Sequence, residues 1–548
     1  MADGAPESGL VGLEPVPSGA GAVAALVGRQ RELAELRGAL DAVTRGHGTL
    51  WLLEGEPGIG KTHLAAALSE HARAAGFTVL WGRCWEDGGA PAFWPWTQIL
   101  RDLVDDRLNA TQGDVHEPLL TRVASIVPEL AAAPAESGAE PTTDQGRFAL
   151  FDAVTTILRQ AAASSPLLLV FDDVHAADLD SLRLLQFVAR DLPHGRIALV
   201  ATYRADDARR LGTGTLLARM GRDGRVLPLR GLTEAEVGEF VEQIAGEPAR
   251  TAVIRTVHQA TQGNPLFVDS ITHLLVAEQR LQLVQPESAM PGERGRAGSL
   301  PLPPNIREAI GMRLAYLDGP TRDLLRVASV IGRSFTSSFL ASVAGRPIAA
   351  LDDSLHVAVD HGAISPADNN AGRFVFDHML VRDTLYGELD PRRRTELHGR
   401  VGMALERFYA DDVATHATEI AHHFLLAAVS VSDAIRAVDA ASRAGRRALS
   451  QSAYDEAAAL FTRALDIFAT SSADSEPIRR CELLLELGAA RIRSGDTAAG
   501  RSVYLDAAAI AREQRLPEQL AEAAIGYAGM TGYHFSGRRD DSLVSLLE

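Results

Sequence analysis

At 548 residues the chain is too long for one hydrophobic core, and length alone points to about three or four domains. Its net charge of −17 denies it the basic face of a general nucleic-acid clamp, and its two cysteines, Cys84 and Cys481, offer neither a disulfide framework nor metal-ligand spacing. With no run of about 18 apolar residues and no basic segment leading into an apolar one, the chain reads as neither membrane-spanning nor exported. A reducing cytoplasm is the expected setting.

Residues 1–24 are rich in Gly, Ala, Pro and Ser and read as a disordered leader. Order begins at Leu26-Val27-Gly28-Arg29 and runs into a helix with apolar Leu33, Leu36 and Leu40. The apolar stretch 49–54 reads as a buried strand. It enters Gly55-Glu56-Pro57-Gly58-Ile59-Gly60-Lys61-Thr62, which fits the phosphate-loop pattern of two glycines with four residues between them followed by Lys and Thr or Ser. The helix that leaves it ends at Gly76. Glycines let the loop N–H groups turn inward around phosphate oxygens, and the helix N-terminus adds partial positive charge. Lys61 is expected to reach the β- and γ-phosphates of ATP, and the Thr62 hydroxyl to hold Mg²⁺. Lys61 is the chain's only lysine, so a compact ammonium stands here while every other basic side chain is arginine.

A second strand covers 77–84. An aromatic loop over 84–96 leads to a helix near 97–104, residues 132–145 form a loose loop, and a helix over 145–163 delivers the chain to the apolar run 166–173. Such a run suits a strand covered on both faces of a parallel sheet. Its end in Asp172-Asp173 is costly without a cation, the pattern of a Walker B segment. Asp172 is expected to hold Mg²⁺ and Asp173 to orient or deprotonate the attacking water, whereas a helix-capping role suits Asp178 or Asp180. A helix over 181–192 returns to a strand over 196–204. Thr202 and Arg204 at its carboxyl end are candidate γ-phosphate sensors, Arg204 the better because a guanidinium meets phosphate bidentately. A strand over 225–230 closes an α/β P-loop domain over 25–231.

Beyond it the periodicity is helical. Residues 232–284 read as a helical lid that opens at Thr233 and breaks at Gly263-Asn264-Pro265, and 285–304 form a Pro, Gly and Ser-rich linker. Residues 305–394 suggest a small helical domain with a β-wing. Residues 395–548 have αα-hairpin spacing, with look-alike segments at 443–468 and 484–512 as in tetratricopeptide-like repeats. The final 541–548 is amphipathic with no stop signal, and a truncated repeat region is expected.

In this order the motifs resemble the signal-transduction ATPases with numerous domains, close to AAA+ proteins. The nearest likeness is to the ATPase and repeat portion of large ATP-binding LuxR-type transcriptional regulators of actinobacteria. The resemblance rests on Val27-Gly28-Arg29, the loop Gly55 to Thr62, Trp94-Pro95-Trp96, Asp172 to Asp178, Thr202-Tyr203-Arg204, Gly263-Asn264-Pro265 and Phe376-Asp377-His378-Met379-Leu380. It implies that Val27 and Arg29 line the adenine and ribose side, that Pro265 packs a lid against the base, and that His378 contacts the β-phosphate of ADP in a closed state. Ala176 departs from the family, where that position is often aromatic. The implied function is an ATP-binding, slowly hydrolysing switch whose nucleotide state is coupled to self-association. An inducer or protein partner would bind the helical arm, and DNA would be read only by a C-terminal domain outside this chain. The alternatives are the same module fused to a nucleotide cyclase or protein kinase, and a ring-forming AAA+ motor.

Overall fold

The computed structural model describes residues 26–85, 88–109, 117–127, 144–281, 303, 305–367, 372–410, 412–470, 476–528 and 541–547. The expected leader, all but one residue of the linker, and most of the 132–145 loop lie outside them. The order is α1 (Gln30–Thr44), β1 (Thr49–Glu54), α2 (Lys61–Ala74), β2 (Thr78–Arg83), α3 (Trp94–Asn109), α4 (Glu117–Val123), α5 (Asp144–Ser164), β3 (Leu167–Asp172), α6 (Leu179–Asp191), β4 (Ile197–Tyr203), α7 (Ala205–Arg210), α8 (Gly214–Asp223) and β5 (Arg225–Pro228). Next come α9 (Glu234–Ala245), α10 (Thr251–Thr261), α11 (Pro265–Ala277), α12 (Ile306–Leu314), α13 (Gly319–Ile331), β6 (Ser334–Thr336), α14 (Ser337–Ala344), α15 (Asp352–Asp360), β7 (Ile364–Pro366), β8 (Arg373–Phe376) and α16 (Met379–Glu388). The remainder is helical: α17 (Pro391–Phe408), α18 (Ala417–Ala427), α19 (Val431–Ser450), α20 (Tyr454–Thr470), α21 (Pro477–Ser494), α22 (Thr497–Glu513), α23 (Pro517–Ala528) and α24 (Asp541–Leu547). Two compact units result, one from residues up to 79, 165–175 and 192–390, the other from 80–164, 176–191 and 391–548.

In the first unit β3, β4, β1 and β5 lie side by side in that order. β1 pairs in parallel with β4 and with β5, and β3 pairs in parallel with β4. Every residue of β3 is buried, as is the interior of β1, which is why both read as unbroken apolar runs. The parallel arrangement brings the carboxyl ends of β1, β3 and β4 to one edge. There Tyr203 donates its phenol proton to Glu54 at 2.5 Å, and the Gly55 N–H reaches the Tyr203 carbonyl at 3.3 Å.

Helix α9 opens with a reciprocal cap in which the Thr233 hydroxyl accepts the Glu236 N–H while the Glu236 carboxylate accepts the Thr233 N–H. Val237, Val241, Val257, Phe267 and Ile271 make a common core for α9–α11. Helices α12–α16 accompany an antiparallel sheet of order β6-β8-β7 within the same unit. Strand β6, only three residues long, carries too little periodicity to read from sequence.

In the second unit α3 begins at Trp94 rather than near residue 97, so Trp94-Pro95-Trp96 is helix and not loop. Proline is tolerated in a first helical turn, where its missing N–H has no partner to lose. Trp96 is fully buried and its indole N–H donates to the Ser181 carbonyl of α6 at 3.0 Å. Asp178 accepts the Ser181 N–H at 2.8 Å and so caps α6, whereas Asp180 accepts from the Asp455 and Glu456 N–H groups at the start of α20. The helices from α17 on pack in succession, each against the next. In three of them a glycine of the first helix admits an aromatic ring of the second: Gly402 against Phe424, Gly445 against Phe461, and Gly488 against Tyr504. Those glycines stand at one common spacing, which extends the repeat to α17–α18, a hairpin the sequence pattern did not single out.

Trp96→Ala removes a filled volume and leaves the Ser181 carbonyl without its donor. The expected cost is about 3–5 kcal/mol, read as a lower denaturant midpoint, and an unchanged midpoint would show that α3 and α6 do not depend on this contact.

Candidate nucleotide site

The phosphate-loop sequence folds as its glycines require. Gly58 and Gly60 have φ of +77° and +98°, and Gly60 stands at the N-terminus of α2. A side chain at Gly58 would also meet the Leu266 Cβ at 2.6 Å, because the turn between α10 and α11 clasps the loop. In that turn the Asn264 amide donates to the Pro57 carbonyl at 2.9 Å, and the Leu266 N–H points to the Gly58 carbonyl at 3.3 Å. From the other side the buried Arg29 guanidinium donates to the carbonyls of Ile59 at 2.9 Å and Arg230 at 2.6 Å. The Lys61 ammonium donates to the Gly55 and Glu56 carbonyls at 2.9 and 3.0 Å.

At the end of β3, Asp172 is 1 % exposed and accepts hydrogen bonds from two hydroxyls, Thr62 at 3.0 and 3.1 Å and Thr202 at 2.6 Å. The Thr202 oxygen in turn accepts the Asp173 N–H at 2.8 Å. Thr202, the candidate γ-phosphate sensor, is fully buried here and its hydroxyl is hydrogen-bonded to both aspartates. Asp173 has φ of +57°, a left-handed backbone that turns its carboxylate away from the path of β3. That carboxylate lies 3.9 Å from Arg204 and 3.8 Å from His175, and Arg204 is 3.3 Å from Asp207. Thr62 and Asp172 together present hard oxygen donors at hydrogen-bond separation. This suits Mg²⁺, which takes one or two protein oxygens and completes its shell with water and phosphate.

A cavity of about 480 Å³ gathers most of the expected residues: Val27, Arg29, Gly58, Ile59, Gly60, Lys61, Thr62, Asp173, Arg204, Pro265 and His378 all line it. Gly55, Glu56, Pro57, Asp172 and Thr202 do not; they stand behind the lining and hold it through the bonds just described. The sequence did not single out the apolar Leu26, Leu232, Phe240, Ile244 and Leu266, nor His63, Asp269 and Arg333. Phe240 and Ile244 were legible in principle, being one helical turn apart after the Thr233 cap. Arg333 belongs to no motif.

His378 caps α16, its Nδ1 accepting the Leu380 N–H at 3.1 Å. Burial, aided by the nearby Arg333 and Arg204, lowers its pKa to about 4. His175, 1 % exposed, is also lowered to about 4, because burial outweighs the attraction of Asp173. Both rings are neutral near pH 7.

Residues 25–200 match the AAA ATPase domain family. The chain carries a parallel-sheet P-loop domain of AAA type, followed by a mostly helical region. An uncharacterized protein of Rhizobium meliloti (strain 1021) is 25 % identical over 545 residues, covering 94 % of this chain and 50 % of that protein. The chain thus spans about half the length of the curated relative it matches. Among solved structures, the chain is similar to a Signal Transduction ATPase with Numerous Domains carrying a tetratricopeptide repeat sensor from Pyrococcus horikoshii, at 15 % identity, over 92 % of this chain and 80 % of that one, with a TM-score of 0.40. The ORC2 protein of Aeropyrum pernix, solved in ADPNP–ADP complexes, matches at 16 % identity over 66 % of this chain and 96 % of that one, with a TM-score of 0.31. Among the described residues no helix is long and apolar enough to cross a membrane.

The depressed His175 sets a pH dependence. Its unfolded pKa is near 6.5, so the unfolded chain takes up the proton first as pH falls. Stability from this group is complete above about pH 6.5 and is lost towards pH 4, by at most about 3 kcal/mol. Melting temperatures measured from pH 7.5 down to 5 are expected to fall less steeply in His175→Gln than in the native protein. Parallel slopes would exclude His175 as a source of acid sensitivity.

Proposed function

We propose that this chain is a nucleotide-driven switch, a module that binds ATP with Mg²⁺ and hydrolyses it slowly in the service of regulation. The observation that carries the reading is the single cavity lined by the phosphate loop, Asp173, Arg204, Pro265 and His378. A catalytic site for a second small substrate would not need residues from α11 and from the start of α16. A switch does, because nucleotide then touches segments that move relative to one another.

In this reading the apolar Val27, Phe240, Ile244 and Pro265 take the adenine, and the Gly58 to Thr62 backbone and the Lys61 ammonium take the phosphates. Thr62 and Asp172 would hold Mg²⁺, which would supply neutralising charge to the phosphate oxygens. Asp173 orients or deprotonates water, and Arg204, which faces it, meets the charge of the terminal phosphate. The finer assignment is to the ATPase part of a LuxR-type transcriptional regulator, cytoplasmic, with nucleotide state coupled to self-association and an inducer or partner bound on the helical arm. The ordered set of motifs from Val27 to Leu380 supports it.

Nucleotide titration with two variants tests the site. Lys61→Ala is expected to weaken ATP and ADP binding by 100-fold or more, whereas Asp173→Asn keeps binding and slows hydrolysis by about 10²–10⁴-fold. Normal turnover in Asp173→Asn would sink the assignment of the base. Light scattering with ADP and with a non-hydrolysable ATP analogue tests the assembly step, and an unchanged mass in both would remove it.

A further inference from the structure

Arg333 stands between α13 and β6, its carbonyl accepting the Phe376 N–H at 2.9 Å, which fixes its backbone beside the Asp377-His378 turn. Its side chain lines the same cavity as Lys61, Asp173, Arg204 and His378. Its Nε is buried without a hydrogen-bond partner, and among the described residues no carboxylate pairs with its guanidinium. The cavity's carboxylates are otherwise engaged: Asp173 faces Arg204, Asp269 pairs with Arg313 at 3.2 Å, and Asp377 accepts from Ser365. Arg333 is part-buried with its Nε unpartnered, and with no carboxylate against it among the described residues its guanidinium is open to an anion entering the cavity that Lys61 and Arg204 also line.

We propose that Arg333 is a phosphate-binding residue, which with His378 carries the phosphates of the bound nucleotide onto the 305–394 segment. The proposal rests on the nucleotide reading above. A planar, always-charged fork suits bidentate contact with phosphate oxygens. The neighbouring His378 ring is pushed towards its neutral form in part by Arg333, which places the two groups within electrostatic reach. Nucleotide bound in this way touches the loop after β1, the end of β4 and the start of β6 at once, so the diphosphate itself fastens the small helical domain to the sheet.

The test is a fluorescent ADP titration of the full chain and its Arg333→Gln, Arg333→Lys and Lys61→Ala variants, with melting temperatures to confirm folding. Arg333→Gln is expected to weaken ADP by about tenfold or more, and Arg333→Lys to recover part of that. Weak competition by adenosine should be equal in the native protein and Arg333→Gln, since adenosine has no phosphate. Native ADP affinity in Arg333→Gln, with binding lost in Lys61→Ala, would overturn the proposal and leave the nucleotide reading intact. Unaltered binding in Lys61→Ala would instead overturn the reading on which it rests. If Arg333→Gln fails to fold, Arg333→Lys decides: a loss of ADP affinity with intact melting supports the contact, and native affinity overturns it.

Discussion

The site depends on one buried carboxylate. Asp172 lies at the end of a strand covered on both faces, where an ionised group without partners would cost several kcal/mol. Two hydroxyls make it tolerable, and they come from different segments: Thr62 from the first turn of α2 and Thr202 from the carboxyl end of β4. Because Thr202 also accepts the Asp173 N–H, the same oxygen fixes the left-handed turn that presents Asp173. Two strand ends and the start of α2 are thus joined through one acid, which sets the neighbouring Lys61, Asp173 and Arg204 around it.

The phosphate loop is not self-supporting. Its carbonyls at Pro57 and Gly58 are engaged by the turn before α11, and its Ile59 carbonyl by Arg29. Backbone acceptors that would otherwise face the phosphates are occupied from outside, which leaves the N–H groups to face inward. Gly58 is needed twice over, for its positive φ and for the approach of Leu266. The segments that grip the loop are the ones a bound base and its phosphates would touch, so loop geometry and nucleotide occupancy are mechanically linked.

Much of this was legible from sequence because it is local. Unbroken apolar runs gave β1, β3 and β4, and the spacing of Gly55, Gly60 and Lys61 gave the loop. The Thr233 cap and the Asn264-Pro265 break gave the helices beside it. What was not legible depends on contacts between residues far apart in the chain. A threonine at a strand end reads as a candidate phosphate sensor, and its hydrogen bonds to Asp172 and Asp173 come from parts of the chain about thirty residues away. Trp94-Pro95-Trp96 looked like loop because its burial against Ser181 is a tertiary fact. Arg333 stands alone in sequence, and its meaning comes from the cavity it enters.

His378 shows how a helix end can settle a chemical role. Its Nδ1 accepts the Leu380 N–H, so in the neutral ring the proton sits on Nε2. Protonating Nδ1 would break that cap, place a cation at a helix N-terminus and set it beside two arginines; burial adds a further and larger penalty. The ring is therefore a fixed hydrogen-bond donor through the physiological pH range. A neutral ring adds no further positive charge to a cavity already lined by Arg29, Lys61, Arg204 and Arg333.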